Sequence, residues 1–137
     1  MESTYAVIDT QQTPLITIRF TGHAANDESF QQYLDDLEGL YEAQQPIFLI
    51  FNAEKAVLPK LKHQQQQAQW LKEKEDLMRA YCCGTAYVIQ SAVIRWVLKA
   101  IFALQAQPVP YAIVDTQEAA EAWAEEQLTK VVTSTSK

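Results

Sequence analysis

The chain of 137 residues is poor in the residue types that most catalytic and metal-binding motifs need. It contains three glycines, two cysteines and two histidines. So few glycines leave no room for a glycine-rich phosphate loop. His23 and His63 lie too far apart in the sequence to give metal-ligand spacing. A catalytic Cys–His pair would require the fold to bring a histidine to Cys82 or Cys83. The composition therefore argues against an enzyme, and we predict no catalytic residue and no metal site.

The two cysteines, Cys82 and Cys83, are adjacent. A disulfide between neighbours would be strained, and a single adjacent pair is poor metal-ligand spacing. We predict two reduced thiols, packed where a strand begins. The stretch "MESTYAVID" has neither a basic start nor a long apolar run, so it does not read as a signal peptide. Both observations predict a cytoplasmic protein.

Positive charge is scarce, and it is unevenly distributed. The net charge is −6 and the pI is about 4.8. Because an acidic chain repels phosphate backbones, we expect no nucleic-acid binding. Between Lys55 and Lys99, eight basic residues stand against three acids, so that segment carries +5 and the rest of the chain −11. This asymmetry could align two copies or a partner, or it could reflect only solvated helix faces.

The pattern of apolar residues predicts one α/β domain. Short runs of branched and aromatic residues predict strands at 5–9, 15–20, 46–52, 85–90 and 110–114. Helical spacing predicts helices from Asn26 or Asp27 to about 43, over 60–81, over 91–104, and after Asp115 or Thr116. We expect Gly84 to end the second helix and Ser91 to cap the third. The order β-β-α-β-α-β-α-β-α predicts a mostly parallel sheet with helical crossovers.

The most apolar segment, "SAVIRWVLKAIFAL" at 91–104, is too short to span a membrane. A span needs about 20 apolar residues. Arg95 and Lys99 would each cost about 3 kcal/mol at the centre of a bilayer. The segment follows a predicted strand, so we predict a crossover helix and no transmembrane segment.

The faces of this helix predict a contact surface. At about 100° per residue, Ser91, Arg95 and Lys99 form one polar stripe. The residues predicted to face the sheet are Val93, Ile94, Val97, Ile101 and Leu104. The predicted partner- or ligand-binding residues are Arg95, Trp96, Leu98, Lys99 and Phe102, because apolar side chains there border the polar stripe. A second copy, another partner or lipid-like ligand, or an internal loop could cover them, and these alternatives stay open.

The order of elements, with "FTG" at 20–22 and the stretches 67–104 and 116–128, resembles the STAS fold of sulfate transporters and anti-sigma factor antagonists. It is most similar to small bacterial STAS-like proteins grouped with the CRAL-TRIO lipid-transfer superfamily. The resemblance implies a sheet of four to five strands with helices, of which the pattern predicts about four. The length predicts one domain over 1–130, and the polar end of the chain predicts a flexible tail at 131–137. It also implies no cofactor. Some relatives are lipid-binding or regulatory.

One departure from that family concerns its phosphorylated Ser or Thr, which lies at the start of the helix after the central strand. No Ser or Thr occurs from Asn52 to Gly84, so this switch cannot be transferred. Lys55, Lys60 and Lys62 stand in that region instead. Basic residues beside free N–H groups at a helix start form a candidate anion site, and simple solvation of the three lysines is the more ordinary interpretation.

Together these features predict a cytoplasmic, non-enzymatic, STAS-like regulatory or protein-interaction module that acts as a homodimer. The alternative is a carrier of a small apolar or lipid-like ligand.

Overall fold

A five-stranded sheet carries helices on both faces in the computed structural model, which describes residues 5–135, with side chains described up to Thr129. The strands are β1 (Ala6–Asp9), β2 (Leu15–Phe20), β3 (Ile47–Asn52), β4 (Cys82–Val88) and β5 (Tyr111–Val114). The helices are α1 (Asp27–Gly39), α2 (Leu61–Glu73), α3 (Glu75–Tyr81), α4 (Ala92–Leu104) and α5 (Gln117–Thr135).

The strands lie in the sheet in the same order as in the chain, β1-β2-β3-β4-β5. β1 pairs with β2 in antiparallel orientation, and every later pair is parallel. When neighbouring strands follow one another in sequence, right-handed crossovers place their connecting helices on one face. The predicted α/β fold with a mostly parallel sheet is confirmed.

The two faces of the sheet are covered unequally. Helices α1, α2, α3 and α4 pack on the first face, where β3 contributes Leu49 and Phe51 to the larger core cluster. On the second face, Phe48 and Ile50 of β3 pack with Ala86 and Val88 of β4. α5 covers that face through Ala120 and Ala124, with Trp123 and Leu128 beside them. β3 is buried on both faces, as its continuous apolar run predicts.

Three predicted helix starts have the expected caps. The Asn26 side chain accepts a hydrogen bond from the Ser29 backbone N–H at 2.7 Å, and the Ser29 hydroxyl accepts from the Asn26 N–H at 2.9 Å. Ser91 accepts from the Ile94 N–H at 3.3 Å, and the Thr116 hydroxyl accepts from the Ala119 N–H at 3.1 Å. Each cap satisfies a backbone donor that the helix itself leaves unpaired.

The helix predicted over 60–81 is divided in two. The backbone leaves helical geometry at Lys74 (φ −102°, ψ 11°), which separates α2 from α3. β4 then begins at Cys82, so Gly84 lies inside a strand and the prediction that it ends the helix is wrong. A Cβ at Gly84 would lie 2.9 Å from Cε2 of Phe48, so close packing explains the glycine.

α5 extends further than the sequence suggests. Its helical backbone runs to Thr135, so 131–135 of the expected tail is helix. Residues 136 and 137 lie outside the described part of the chain.

Candidate functional site

A cavity of about 130 Å³ lies between the first face of the sheet and the helices α1, α2 and α4. Leu49 and Phe51 of β3 and Tyr87 of β4 form its floor. Phe30 of α1 and Trp70 of α2 lie in its walls. All of these side chains are buried. The cavity is therefore built from core residues of four separate elements.

The floor of the cavity is largely aromatic. The rings of Phe51 and Tyr87 stack with centroids 5.2 Å apart, and the Phe102 ring meets Tyr87 edge-on at 5.8 Å. The Tyr87 hydroxyl accepts a hydrogen bond from Nε2 of Gln107 at 2.6 Å. Burial raises the pKa of Tyr87 above its ordinary value, so this phenol stays uncharged.

The inner face of α4 forms one wall, and its position differs from the sequence prediction. Val97 and Ile101 are buried as predicted. Val93 and Leu104, predicted to face the sheet, are 58% and 61% exposed, so that prediction is wrong. Leu98 and Phe102 instead line the cavity. α4 is thus rotated relative to the predicted orientation, because Phe102 packs against Tyr87 of β4 and Tyr111 of β5.

The remaining three residues of the predicted contact surface lie away from the cavity. Trp96 is 68% exposed, and Lys99 is also exposed. Arg95 donates through Nε to the backbone oxygen of Ile89 at 2.8 Å and forms an ion pair with Asp115. The structure therefore separates the five predicted residues into two that line the cavity and three outside it.

On α2, a buried histidine lines the opposite wall. His63 is 1% exposed, and its ring stacks on Phe30 with centroids 4.6 Å apart. Its Nε2 lies 3.0 Å from Oδ1 of Asp27 at the start of α1. Asp27 also pairs with Lys62 at 2.7 Å. The hydrogen bond from Lys62, followed by that with His63, lowers the pKa of the Asp27 carboxyl. This group joins the first turns of α1 and α2.

The three lysines of the candidate anion site have different surroundings. Lys62 is engaged by Asp27, which competes with any added anion. Lys55 and Lys60 are exposed, and Lys60 is the N-cap residue of α2. Anion binding at Lys55, Lys60 and Lys62 stays a prediction.

The loop from 53 to 60 borders the cavity between β3 and α2. Ala56, Val57 and Pro59 line the cavity from this loop. Val57, Leu58 and Leu61 nevertheless expose much of their side chains. Val57 therefore reaches both the cavity and the surface, and Leu58 and Leu61 are exposed beside it.

The cysteines are free thiols, as predicted. Cys82 is buried, and its desolvation raises its pKa to about 12. A thiol with such a pKa is a poor nucleophile at neutral pH. Within the described residues, no cluster of three or more His, Cys, Asp or Glu side chains could hold a metal ion. Among the helices of the described region, none is both long and apolar enough to cross a membrane.

Two of the predicted partner- or ligand-binding residues, Leu98 and Phe102, line the cavity, but the sequence did not predict the cavity itself. Leu98 and Phe102 could be singled out in the sequence, because apolar side chains beside a polar stripe predict a contact that shields them from water. His63 and Trp70 carried none, because they continue a run of glutamines on an ordinary helix face.

Comparisons of the chain with protein-family models, curated proteins and solved structures find no match. The resemblance to STAS-like domains stays a prediction.

Proposed function

We propose that the chain binds a small apolar ligand in the cavity between the sheet, α2 and α4. The observation that supports this most directly is a cavity of about 130 Å³ whose wall is made almost entirely of apolar and aromatic side chains. Ligand sites are typically concave, apolar and largely formed in advance. An engineered apolar cavity of about 150 Å³ in another protein binds benzene. The proposed ligand is therefore about the size of one ring.

The free-energy cost of an unfilled cavity supports the same proposal. A cavity in a well-packed core forgoes about 24 cal/mol per Å³, which is roughly 3 kcal/mol for this volume. Domains are stable by only about 5–15 kcal/mol in total. A bound apolar ligand would restore the missing contacts.

The loop 53–60 offers an entry point for the proposed ligand. In the proposal, a ligand enters beside the loop 53–60, whose exposed Val57 and Leu58 adjoin cavity-lining residues. Long acyl chains exceed the cavity volume, so the carrier function is restricted to small molecules.

Toluene titration tests this function. At ten times its Kd, a ligand should stabilise the fold by about 1.4 kcal/mol. That corresponds to a rise in Tm of roughly 4 °C for a chain of this size. Leu98→Trp places a larger ring in the cavity and should remove the effect.

The matched control is Val93→Trp, on the exposed side of the same helix, which should respond to toluene like the parent chain. Circular dichroism checks that both variants fold. A parent chain whose Tm does not respond to toluene, or an equal response in both variants, would refute the proposal.

A second candidate function is a protein-interaction module, as a cytoplasmic, STAS-like, non-enzymatic homodimer. The observation favouring it is the apolar stripe on the outer side of α4, formed by Val93, Trp96 and Leu104. Lys99 lies beside Trp96 at the edge of this α4 outer stripe, and α5 carries acids that could face it in a second copy. The order of strands and helices supports the STAS-like assignment.

Sedimentation tests the second candidate. Trp96→Asp should convert a dimer into a folded monomer at tens of micromolar, because it buries a charge in the contact. Gln69→Asp changes an exposed residue of α2 outside the stripe and should leave the dimer intact. A monomeric parent chain would end the homodimer proposal and leave the cavity proposal untouched.

A further inference from the structure

Two of the side chains that line the cavity each carry one buried polar atom that lacks a hydrogen-bond partner among the described residues. These atoms are the Nε1–H of Trp70 and the Oε1 of Gln107. Trp70 is only 7% exposed. The other end of the Gln107 amide is engaged, since its Nε2 donates to Tyr87. Because buried donors and acceptors are nearly always paired in folded proteins, these two side chains are the ones that would turn a polar atom toward a ligand in the cavity.

The cavity wall offers no cation for a charged ligand. Among the described residues that line it, none is Lys, Arg, Asp or Glu. His63 is the one imidazole there, and its Nε2 faces Asp27. Moving a carboxylate from water into such a wall would leave the charge without a partner, which is strongly unfavourable. The wall therefore selects against acids, including fatty acids.

We infer that the ligand is an uncharged single-ring molecule with one hydroxyl group, of which a simple phenol is the model. The inference rests on the proposed apolar-ligand function and specifies its chemistry. The ring matches the cavity of about 130 Å³. A hydroxyl both donates and accepts, so it can accept from Trp70 Nε1–H or donate to Gln107 Oε1. It suits the site even if the Gln107 amide is turned round, because one end of that amide still lacks a partner.

A matched set of three ligands tests the inference. Toluene, p-cresol and p-toluate share the ring and the methyl group, and they differ only in hydrogen, hydroxyl or carboxylate at one position. Titration by NMR near pH 7 should show p-cresol binding about three- to tenfold more tightly than toluene, as one net hydrogen bond predicts. We expect p-toluate to bind at least tenfold more weakly than toluene.

Two variants test whether the preference for p-cresol over toluene depends on Trp70 and Gln107. Trp70→Phe removes the Nε1–H and keeps an aromatic ring, and Gln107→Leu removes the amide at similar volume. In at least one of them the p-cresol advantage over toluene should fall to about twofold or less. Toluene binding itself reports whether each variant still folds with its cavity.

The outcomes separate the two proposals. Toluene and p-cresol binding equally, or p-toluate binding most tightly, would overturn the hydroxyl inference and leave the apolar-ligand function standing. A p-cresol preference unchanged in both variants would also overturn it. Failure of both toluene and p-cresol to bind would refute the proposed function and the inference with it.

Discussion

The glycines show at the scale of single residues how packing decides what a position tolerates. Gly84 lies in β4 against Phe48, and an added Cβ would also come within 3.2 Å of the Pro110 backbone oxygen. Gly39 ends α1, and nothing lies within 4 Å of its added Cβ. The sequence alone does not distinguish the two glycines. Their different roles follow from neighbours that are distant along the chain.

We expect Gly84→Ala to lower the free energy of unfolding by about 1–3 kcal/mol, because the ring and the backbone must both shift. Gly39→Ala is the control, and it should be neutral or stabilising by up to about 1 kcal/mol, since alanine favours helix. Urea denaturation measures both. Equal effects of the two substitutions would contradict the close approach at Gly84.

The buried thiol of Cys82 makes the free energy of unfolding depend on pH in the alkaline range. Burial raises its pKa from the ordinary value of 9.0 to about 12. Because the pKa is higher in the folded state, the unfolded chain loses this proton first as pH rises. The stabilisation is complete below pH 9 and is lost between pH 9 and 12. Tyr5, Tyr33, Tyr41 and Tyr87, whose pKa values burial also raises above 10.0, add to the loss as the pH approaches and passes 10.

We therefore predict that the free energy of unfolding falls between pH 9 and 10 with a slope approaching 1.4 kcal/mol per pH unit from Cys82. Cys82→Ala should remove the Cys82 share of the slope and leave that of the buried tyrosines, and Cys83→Ala, at a less buried site, should remove less. Both variants should fold, with a loss of roughly 1–2 kcal/mol at pH 7. Chemical denaturation across this pH range measures the slopes, and an unchanged slope in Cys82→Ala would contradict the account.

At the scale of elements, α4 shows what periodicity can and cannot specify. Its length, its Ser91 cap and its buried Val97 and Ile101 were predictable from spacing alone. Its rotation was not, because apolar residues occur nearly all round the helix. Contacts from outside the helix decide the rotation, with Arg95 bound to Ile89 and Phe102 packed against Tyr87. The predicted dimer residues Leu98 and Phe102 therefore turn inward.

This rotation predicts opposite results for two aspartate substitutions on α4. Phe102→Asp should lower the free energy of unfolding by about 3 kcal/mol or more, because it removes a packed ring and introduces a charge beside the core. Trp96→Asp should change it by only about 0.5 kcal/mol in a monomer. Thermal and urea denaturation at micromolar concentration compare them. A fully stable Phe102→Asp would mean that Phe102 faces outward.

At the scale of the whole molecule, the sheet was predictable and the cavity was not. Continuous apolar runs such as 47–51 identify buried parallel strands, and their alternation with helices fixes the fold class. The cavity depends on small mismatches in packing among β3, β4, α1, α2 and α4. No local pattern encodes such a mismatch, since each wall residue alone is an ordinary core residue.

Locating the bound ligand tests whether a small apolar molecule occupies this cavity. An isotope-filtered NOE experiment on the labelled protein with toluene reports which protons lie within about 5 Å of the ligand. We predict NOEs from toluene to the methyl groups of Ile94, Leu98 and Ile101 and to the Trp70 ring. NOEs confined to Val93, Trp96 and Leu104 on the α4 outer stripe, or none at saturating toluene, would contradict it.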